Sequence, residues 1–197
     1  IGKLIRMETN FGFNLIYKKN FFGFNKKKID TNKRIFNKMM GGGAILDLGC
    51  YTTSMSLLIA SLIENLNLSN FKVENIETNS LKLDIDLHST AIINFDNKFY
   101  SKISASFMKK IGTKTVIEGE KGQIILEESW NSDINEIKVF GKENKIHKFK
   151  NTKNLYSLEI ENISNDIIGN RIEATFPGIN KKNIFLNSKI INDWINV

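Results

Sequence analysis

The residues of this 197-residue chain best suited to chemistry fall in one short stretch, Gly41-Gly42-Gly43-Ala44-Ile45-Leu46-Asp47-Leu48-Gly49-Cys50-Tyr51. Three consecutive glycines let a backbone approach a ligand closely and take φ values that side chains resist. An apolar run at helical spacing follows, so Gly42 and Gly43 are candidate binding positions at a helix start. Free N–H groups and the positive dipole end are found there. Asp47 and Tyr51 are four apart and share a helix face, so a carboxylate and a phenol could point into one cavity. On a buried face that carboxylate is costly unless it has a partner or a task. A purely structural alternative stands beside this one. In it Asp47 satisfies backbone N–H groups at the helix start, and Tyr51 is a core aromatic with a bonded hydroxyl.

Other chemistries lack their residues. No Gly-x-Gly-x-x-Gly joins a strand to a helix, so the dinucleotide fingerprint is not in this chain. Its two histidines, His88 and His147, sit on strand patterns without a neighbouring ligand pair, and no metal site is expected. There is no Gly-x-Ser-x-Gly elbow, and Cys50 has no obvious histidine partner. A lone cysteine excludes an internal disulfide and fits a reducing cytoplasm. Net charge is +7, with lysines along the whole chain and a cluster at Lys26, Lys27 and Lys28. A basic loop beside aromatics also suits a single-strand nucleic-acid binder. Here the phenylalanines alternate with polar residues as in a half-buried strand, so a solvated surface without nucleic acid is the expectation. The longest low-charge stretch, Tyr51 to Ile63, is too short to span a bilayer, and no membrane association is expected. The opening IGKLIRMETNFGF has no secretory pattern. Because the first residue is Ile1, the chain is not expected to begin where its gene product begins.

Periodicity supplies the elements that must position these residues. Lys3 to Ile16 alternates as a strand, and residues 17–40 have no clean period and read as a long loop. Leu48, Tyr51, Met55, Leu58 and Leu62 then recur at steps of three and four, predicting a buried helix that ends near Asn65 or Asn67. Leu81, Leu83, Ile85 and Leu87 alternate with polar residues, and Ala91, Ile93 and Phe95 continue that strand. Asp96-Asn97 is a tight hairpin turn into the strand of Phe99, Ile103, Ala105 and Phe107. Thr115 to Glu118 and Gln123 to Glu127 pair across Gly119–Gly122, and Glu136 to Phe140 and Asn144 to Phe149 across residues 141–143. Tyr156, Ile160, Ile163 and Ile167 mark a helix stopped by Gly169. Leu186, Ile190 and Trp194 mark another after Pro177. The fold class is therefore α+β: a large, mainly antiparallel open-faced sheet of six or more strands, with helices packed on one face. One domain spans 1–197, closed by a helical segment at 155–197. The other sheet face reads as too apolar to sit in water and should pair with a second copy.

GGGAILDLGCY resembles the signature of the Gfo/Idh/MocA oxidoreductases, in which a Gly-Gly run leads into Asp-x-Gly-x-(His or Tyr). The opening strand is similar to the one that begins that family's C-terminal domain. Gly119-Glu120-Lys121-Gly122 resembles its Gly-x-x-Gly hairpin, and YSLEIENISND (Tyr156 to Asp166) its late helix. Arg34 resembles the arginine often found before the glycines. The tyrosine variant is closest to the dihydrodiol dehydrogenase and glucose–fructose oxidoreductase branch. The resemblance implies hydride transfer between NAD or NADP and a sugar-like or cyclic alcohol or carbonyl. In this reading Tyr51 is proton donor or acceptor, Asp47 holds a substrate hydroxyl or orients the partner groups, and Arg34 lines the pocket or braces the loop. It also implies that the cofactor is bound mainly by a Rossmann half absent from this chain, together with a Glu-Lys-Pro lysine that would activate the phenol. On that reading the chain is a truncated product or one half of a split enzyme, inactive alone. The alternative is a non-catalytic sheet domain for dimerisation or sugar binding.

Overall fold

A computed structural model describes residues 1–20, 23–130, 136–149, 154–176 and 178–196. Its frame is an eight-stranded sheet. In chain order the strands are β1 (Leu4–Gly12), β4 (Phe71–Asn79), β5 (His88–Phe95), β6 (Phe99–Ser106), β7 (Thr115–Gly119), β8 (Gly122–Leu126), β9 (Glu136–Phe140) and β10 (Lys145–Lys148). Across the sheet they run β10-β9-β8-β7-β1-β6-β5-β4. Every pairing is antiparallel except β1 with β6, which is parallel. That exception follows from connectivity: the chain leaves β1, crosses one face of the sheet in a helix and returns, and parallel strands require such a crossover. The α+β class and the mainly antiparallel sheet are as expected. The stretch read as a loop after β1 differs, because β2 (Tyr17–Asn20) and β3 (Gly23–Lys26) form a small separate hairpin there.

The hairpins follow their turn residues. Asp96 and Asn97 both take positive φ (55° and 53°), the geometry of the tight turn that matches strand twist. The Leu81–Leu87 strand, by contrast, is not one. Residues 80–87 form a looped connection between β4 and β5, in which Leu81 and Lys82 adopt positive φ (47° and 69°). The alternation is nonetheless genuine as burial: Ile85 and Leu87 are in the core while Lys82 and Asp84 face solvent. Side-chain period reports which groups pack inward, and here no ladder accompanies it.

One face of the sheet carries the helices α1 (Cys50–Ala60) and α3 (Lys181–Ile195), with a wide π-type turn at Ile45–Gly49 leading into α1. A third helix, α2 (Leu155–Ile168), leaves Ile160, Ile163 and Ile167 more than half exposed. Asn154 and Asn180 cap α2 and α3, each side chain accepting a backbone N–H three residues on, an arrangement worth about 1 kcal/mol per helix. Leu186, Ile190 and Trp194 bury the inner face of α3, as their spacing predicts. The Trp194 indole donates to Ser89 Oγ at 2.8 Å.

The buried face of α1 differs from the expected one. Thr52, Thr53, Ser56, Leu57 and Ala60 meet the sheet, whereas Tyr51 and Leu62 are 50% and 57% exposed, and the helix stops at Ala60. Small residues let the helix lie close to the strands, and their hydroxyls need no distant partner. Thr52 and Thr53 bond back to the Gly49 carbonyl, and Ser56 to that of Thr52 and to Ser101 Oγ at 2.6 Å. The run Lys38–Ala60 has the length and mean hydropathy (1.3) of a membrane span, yet 61% of its most apolar window is buried inside the domain.

The uncovered sheet face is also unlike the apolar surface expected. Across its centre run charged side chains in register, with Arg6 bonded to Glu118 at 2.8 Å and Lys102 near Glu8 at 3.5 Å. Ile92, Tyr100 and Ile125 are interspersed among them. Exposed pairs of this kind contribute about 0–1 kcal/mol each.

Candidate functional site

The glycine run builds a turn rather than an open cradle. Gly42 and Gly43 are both buried. A Cβ on Gly42 would lie 2.6 Å from the Arg34 carbonyl oxygen, and Gly43 sits at φ 118°, where side chains are strained. Their N–H groups are already used: Gly42 donates to the Asn37 carbonyl at 2.9 Å and Gly43 to that of Ile35 at 3.0 Å. The next two donors are taken by one residue. Ala44 N–H meets the Asp86 carbonyl at 3.0 Å, and Ile45 N–H meets the Asp86 carboxylate at 2.7 Å. The helix start that could have held an anion is therefore filled from within.

Asp86 is the residue that sequence reasoning missed, since in an alternating segment it read as an outward polar position. Burial pushes its carboxyl up from the ordinary carboxylate value, and the backbone donors at Ile45, Asp86 and Ala44 oppose that shift. A raised folded pKa favours folding below the unfolded value near 3.8, and this contribution is lost as pH rises through the folded pKa. Asp86→Ala is expected to cost about 1–3 kcal/mol by orphaning a buried N–H, a fall in melting temperature of roughly 2–10 °C. Asp86→Asn keeps an acceptor, and its stability relative to the natural protein should improve as pH rises from acid to neutral. Thermal melts across pH check both.

With the turn fixed, Asp47 and Tyr51 emerge on the outer side. Asp47 does not cap the helix. Its carboxylate pairs with the Arg34 guanidinium, and the two side chains are 22% and 52% exposed. Arg34 is presented by a short 3-10 turn, Arg34–Phe36, with the next one at Lys38–Met40. Arg34 and Asp47 thus pair beside the helix start that carries Tyr51, with Gly42 and Gly43 as its scaffold, but the cavity that Tyr51 lines is lined by neither Arg34 nor Asp47.

Tyr51 is held by aromatics. Its ring meets Phe11 edge-on at 5.4 Å and Trp130 at 5.9 Å, and Phe11 and Trp130 stack at 5.5 Å. The Trp130 indole is itself fixed, donating to the Asn10 carbonyl at 2.9 Å. The ring orientation is therefore set while the hydroxyl makes no hydrogen bond to a described residue. Burial raises the phenol above its ordinary value, and Cys50, Tyr156, Asp47 and Glu159 push it further. Ionisation near neutral pH would need a cation from elsewhere. Cys50, beside it, is also pushed up, chiefly by burial, and is no ready nucleophile. Trp130 went unnoticed in the sequence because its contacts with Tyr51 and Phe11 join distant segments. Its being one of two tryptophans was the only signal.

Among the described residues no group of three or more His, Cys, Asp or Glu is placed to hold a metal. The glycine-rich helix start at Gly42–Ile45 has its N–H donors occupied, so it offers no phosphate cradle.

Comparison with known proteins gives a consistent family. The family model described as the GFO/IDH/MocA C-terminal domain matches residues 1–125. No curated protein matches. Solved structures align over 98% of this chain at low identity. They include an aldose-aldose oxidoreductase from Caulobacter crescentus complexed with glycerol (13% identity, 54% of that chain, TM-score 0.70). A UDP-N-acetylglucosamine 3-dehydrogenase from Acidithiobacillus ferrooxidans aligns at 12% identity, over 52% of that chain and with TM-score 0.68. A 3-ketoreductase from Actinomadura kijaniata in complex with NADP and TDP-benzene aligns at 10%, over 53% of that chain and with TM-score 0.69. The chain therefore spans about half the length of these proteins.

Proposed function

Because the chain belongs to the GFO/IDH/MocA family through its C-terminal domain, we propose that it is the substrate-facing half of an NAD(P)-dependent oxidoreductase. Its substrate would be a sugar-like or cyclic molecule reacting at a carbon that bears hydroxyl or carbonyl. The observation that carries this reading is the Tyr51 hydroxyl, held by a fixed ring at the mouth of a cavity and not bonded to described residues. A core tyrosine would have spent that hydroxyl on a partner.

In this reading the dinucleotide is bound mainly by the nucleotide-binding part that the family implies, and the occupied N–H donors of the glycine-rich turn support that. The three groups divide the remaining work. Tyr51 gives a proton to the substrate oxygen as a carbonyl is reduced, or accepts it in the reverse direction. The cation that brings its raised pKa toward neutrality is the lysine of the Glu-Lys-Pro motif implied by the family, located in the nucleotide-binding part. Arg34 and Asp47 offer a donor and an acceptor to neighbouring hydroxyls, and their ion pair keeps each in place. The uncovered stripe of α2, with Ile160, Ile163 and Ile167 exposed, is the kind of face that part would cover. Pairing of copies through the open sheet face belongs to the same reading. With charged residues across that face, its strength should fall with salt. The lone thiol suits a cytoplasmic location.

The test is an ultraviolet assay of NADH and NADPH oxidation against a panel of aldoses, ketoses and cyclic ketones. Turnover is expected when the nucleotide-binding part is present and none from the 197 residues by themselves. A complete protein that consumes neither nucleotide with any carbonyl would refute the reading.

A further inference from the structure

Beyond Tyr51 the site opens into a cleft of about 620 Å³ between α1, α3 and the segment that joins α2 to α3. That volume is typical of small-molecule sites. Tyr51 lines it together with Met55, Leu58 and Leu68 on one side and Phe176 and Ile179 on the other. Phe176 and Ile179 are 68% and 47% exposed, so apolar side chains are held facing the cleft rather than packed away from it. The segment that carries them is anchored at its start. Asp166 accepts from Arg171 Nε at 2.7 Å and from Thr175 Oγ1 at 2.9 Å, while Asn180 caps α3 at the far end. The cleft is thus preformed. In its wall the Asn187 side-chain oxygen is buried with no hydrogen-bond partner among the described residues, a costly arrangement unless a donor arrives from the cleft.

We propose that this cleft is a subsite for the apolar part of the substrate. The substrate is then amphipathic: a hydroxyl- or carbonyl-bearing ring at Tyr51 joined to an aromatic or alicyclic portion among Met55, Leu58 and Phe176, with a polar donor meeting Asn187. A bare polyol would leave those apolar groups wet. The inference rests on the reading of Tyr51 as the group at the reacting oxygen, but its test is binding and needs no turnover.

The experiment is a nuclear magnetic resonance titration of the chain with glucose and with para-nitrophenyl glucoside. Burying the aryl ring should make the aryl glucoside bind roughly tenfold or more tightly than glucose. The Met55 and Leu58 methyls, the Asn187 side-chain amide and the Tyr51 ring should all shift. Phe176→Ser, on an exposed position that does not threaten folding, should erase most of the preference, and Asn187→Leu should weaken binding of both. Equal affinities, no binding of either compound, or a preference that survives Phe176→Ser would each overturn the proposal. So would shifts at Met55 and Leu58 without any at Tyr51, because the cleft would then be separate from the reacting site. A failed nicotinamide assay with the binding preference intact would count against the oxidoreductase reading alone.

Discussion

Tyr51→Phe in the complete protein is expected to lower kcat of the proposed reaction by about 10²–10⁴-fold, the usual contribution of a positioned acid–base group, with melting temperature unchanged. The two halves of this expectation come from the same geometry. The ring contacts with Phe11 and Trp130 survive in phenylalanine, so substrate binding and packing persist. The hydroxyl bonds to no described residue, so its removal orphans nothing. KM should therefore move little while kcat falls, the pattern of a group acting in the transition state. In the complete protein the pH profile of the proposed reaction should follow the phenol, whose pKa this domain raises and which an added cation would lower. Steady-state kinetics beside a thermal melt separates the outcomes. A mutant that melts normally and retains full kcat would remove Tyr51 from the chemistry.

The largest effect on stability is expected from Gly43→Ala. At φ 118° any side chain is strained, at roughly 1–3 kcal/mol. The added Cβ also runs into the Asp86 carboxylate, which must then release the Ile45 N–H it accepts at 2.7 Å. Losing that buried bond adds about 1–3 kcal/mol. Together these should lower the melting temperature by roughly 5–20 °C for a chain of this size. The mechanism makes a sharper claim than the magnitude. In an Asp86→Ala background the carboxylate is gone, so Gly43→Ala should cost less there than in the natural protein. Additive losses in a denaturant double-mutant cycle would mean that the glycine and the carboxylate do not act on one another.

The parts of this fold written in local pattern were legible in the sequence. The β5–β6 hairpin could be placed from Asp96-Asn97, and the inner face of α3 from Leu186, Ile190 and Trp194. β4 was not legible, because a bulge between Glu74 and Glu77, with Asn75 at φ 53°, breaks its alternation. The next clean alternation, Leu81 to Leu87, reports burial without a ladder. On α1 the most apolar face turned out to line a cleft, because Thr52, Thr53 and Ser56 satisfy their hydroxyls on their own helix and can be buried instead. Periodicity ranks faces by hydrophobicity and is blind to that local bonding. The open sheet face misled in the other direction. Strand alternation suggested an apolar surface, while pairs such as Arg6–Glu118, 112 residues apart, exist only once register is set.

The candidate site divides in the same way. Asp47 and Tyr51 could be related by helical spacing, and Arg34 was picked out only through family resemblance. Asp86 and Trp130 reach the site from 35 or more residues along the chain, so no local pattern announced them. Such residues hold the orientation on which the proposed chemistry depends. They are also the positions where substitution should disturb activity and stability together, unlike Tyr51.

A crystal structure of the complete protein with nicotinamide dinucleotide and a substrate analogue tests the central claim most directly. The Tyr51 hydroxyl is expected within hydrogen-bond distance, about 2.6–3.2 Å, of the oxygen on the reacting carbon, with Arg34 and Asp47 on neighbouring hydroxyls. A reacting oxygen held by other groups, with Tyr51 turned to solvent or covered by protein, would contradict it.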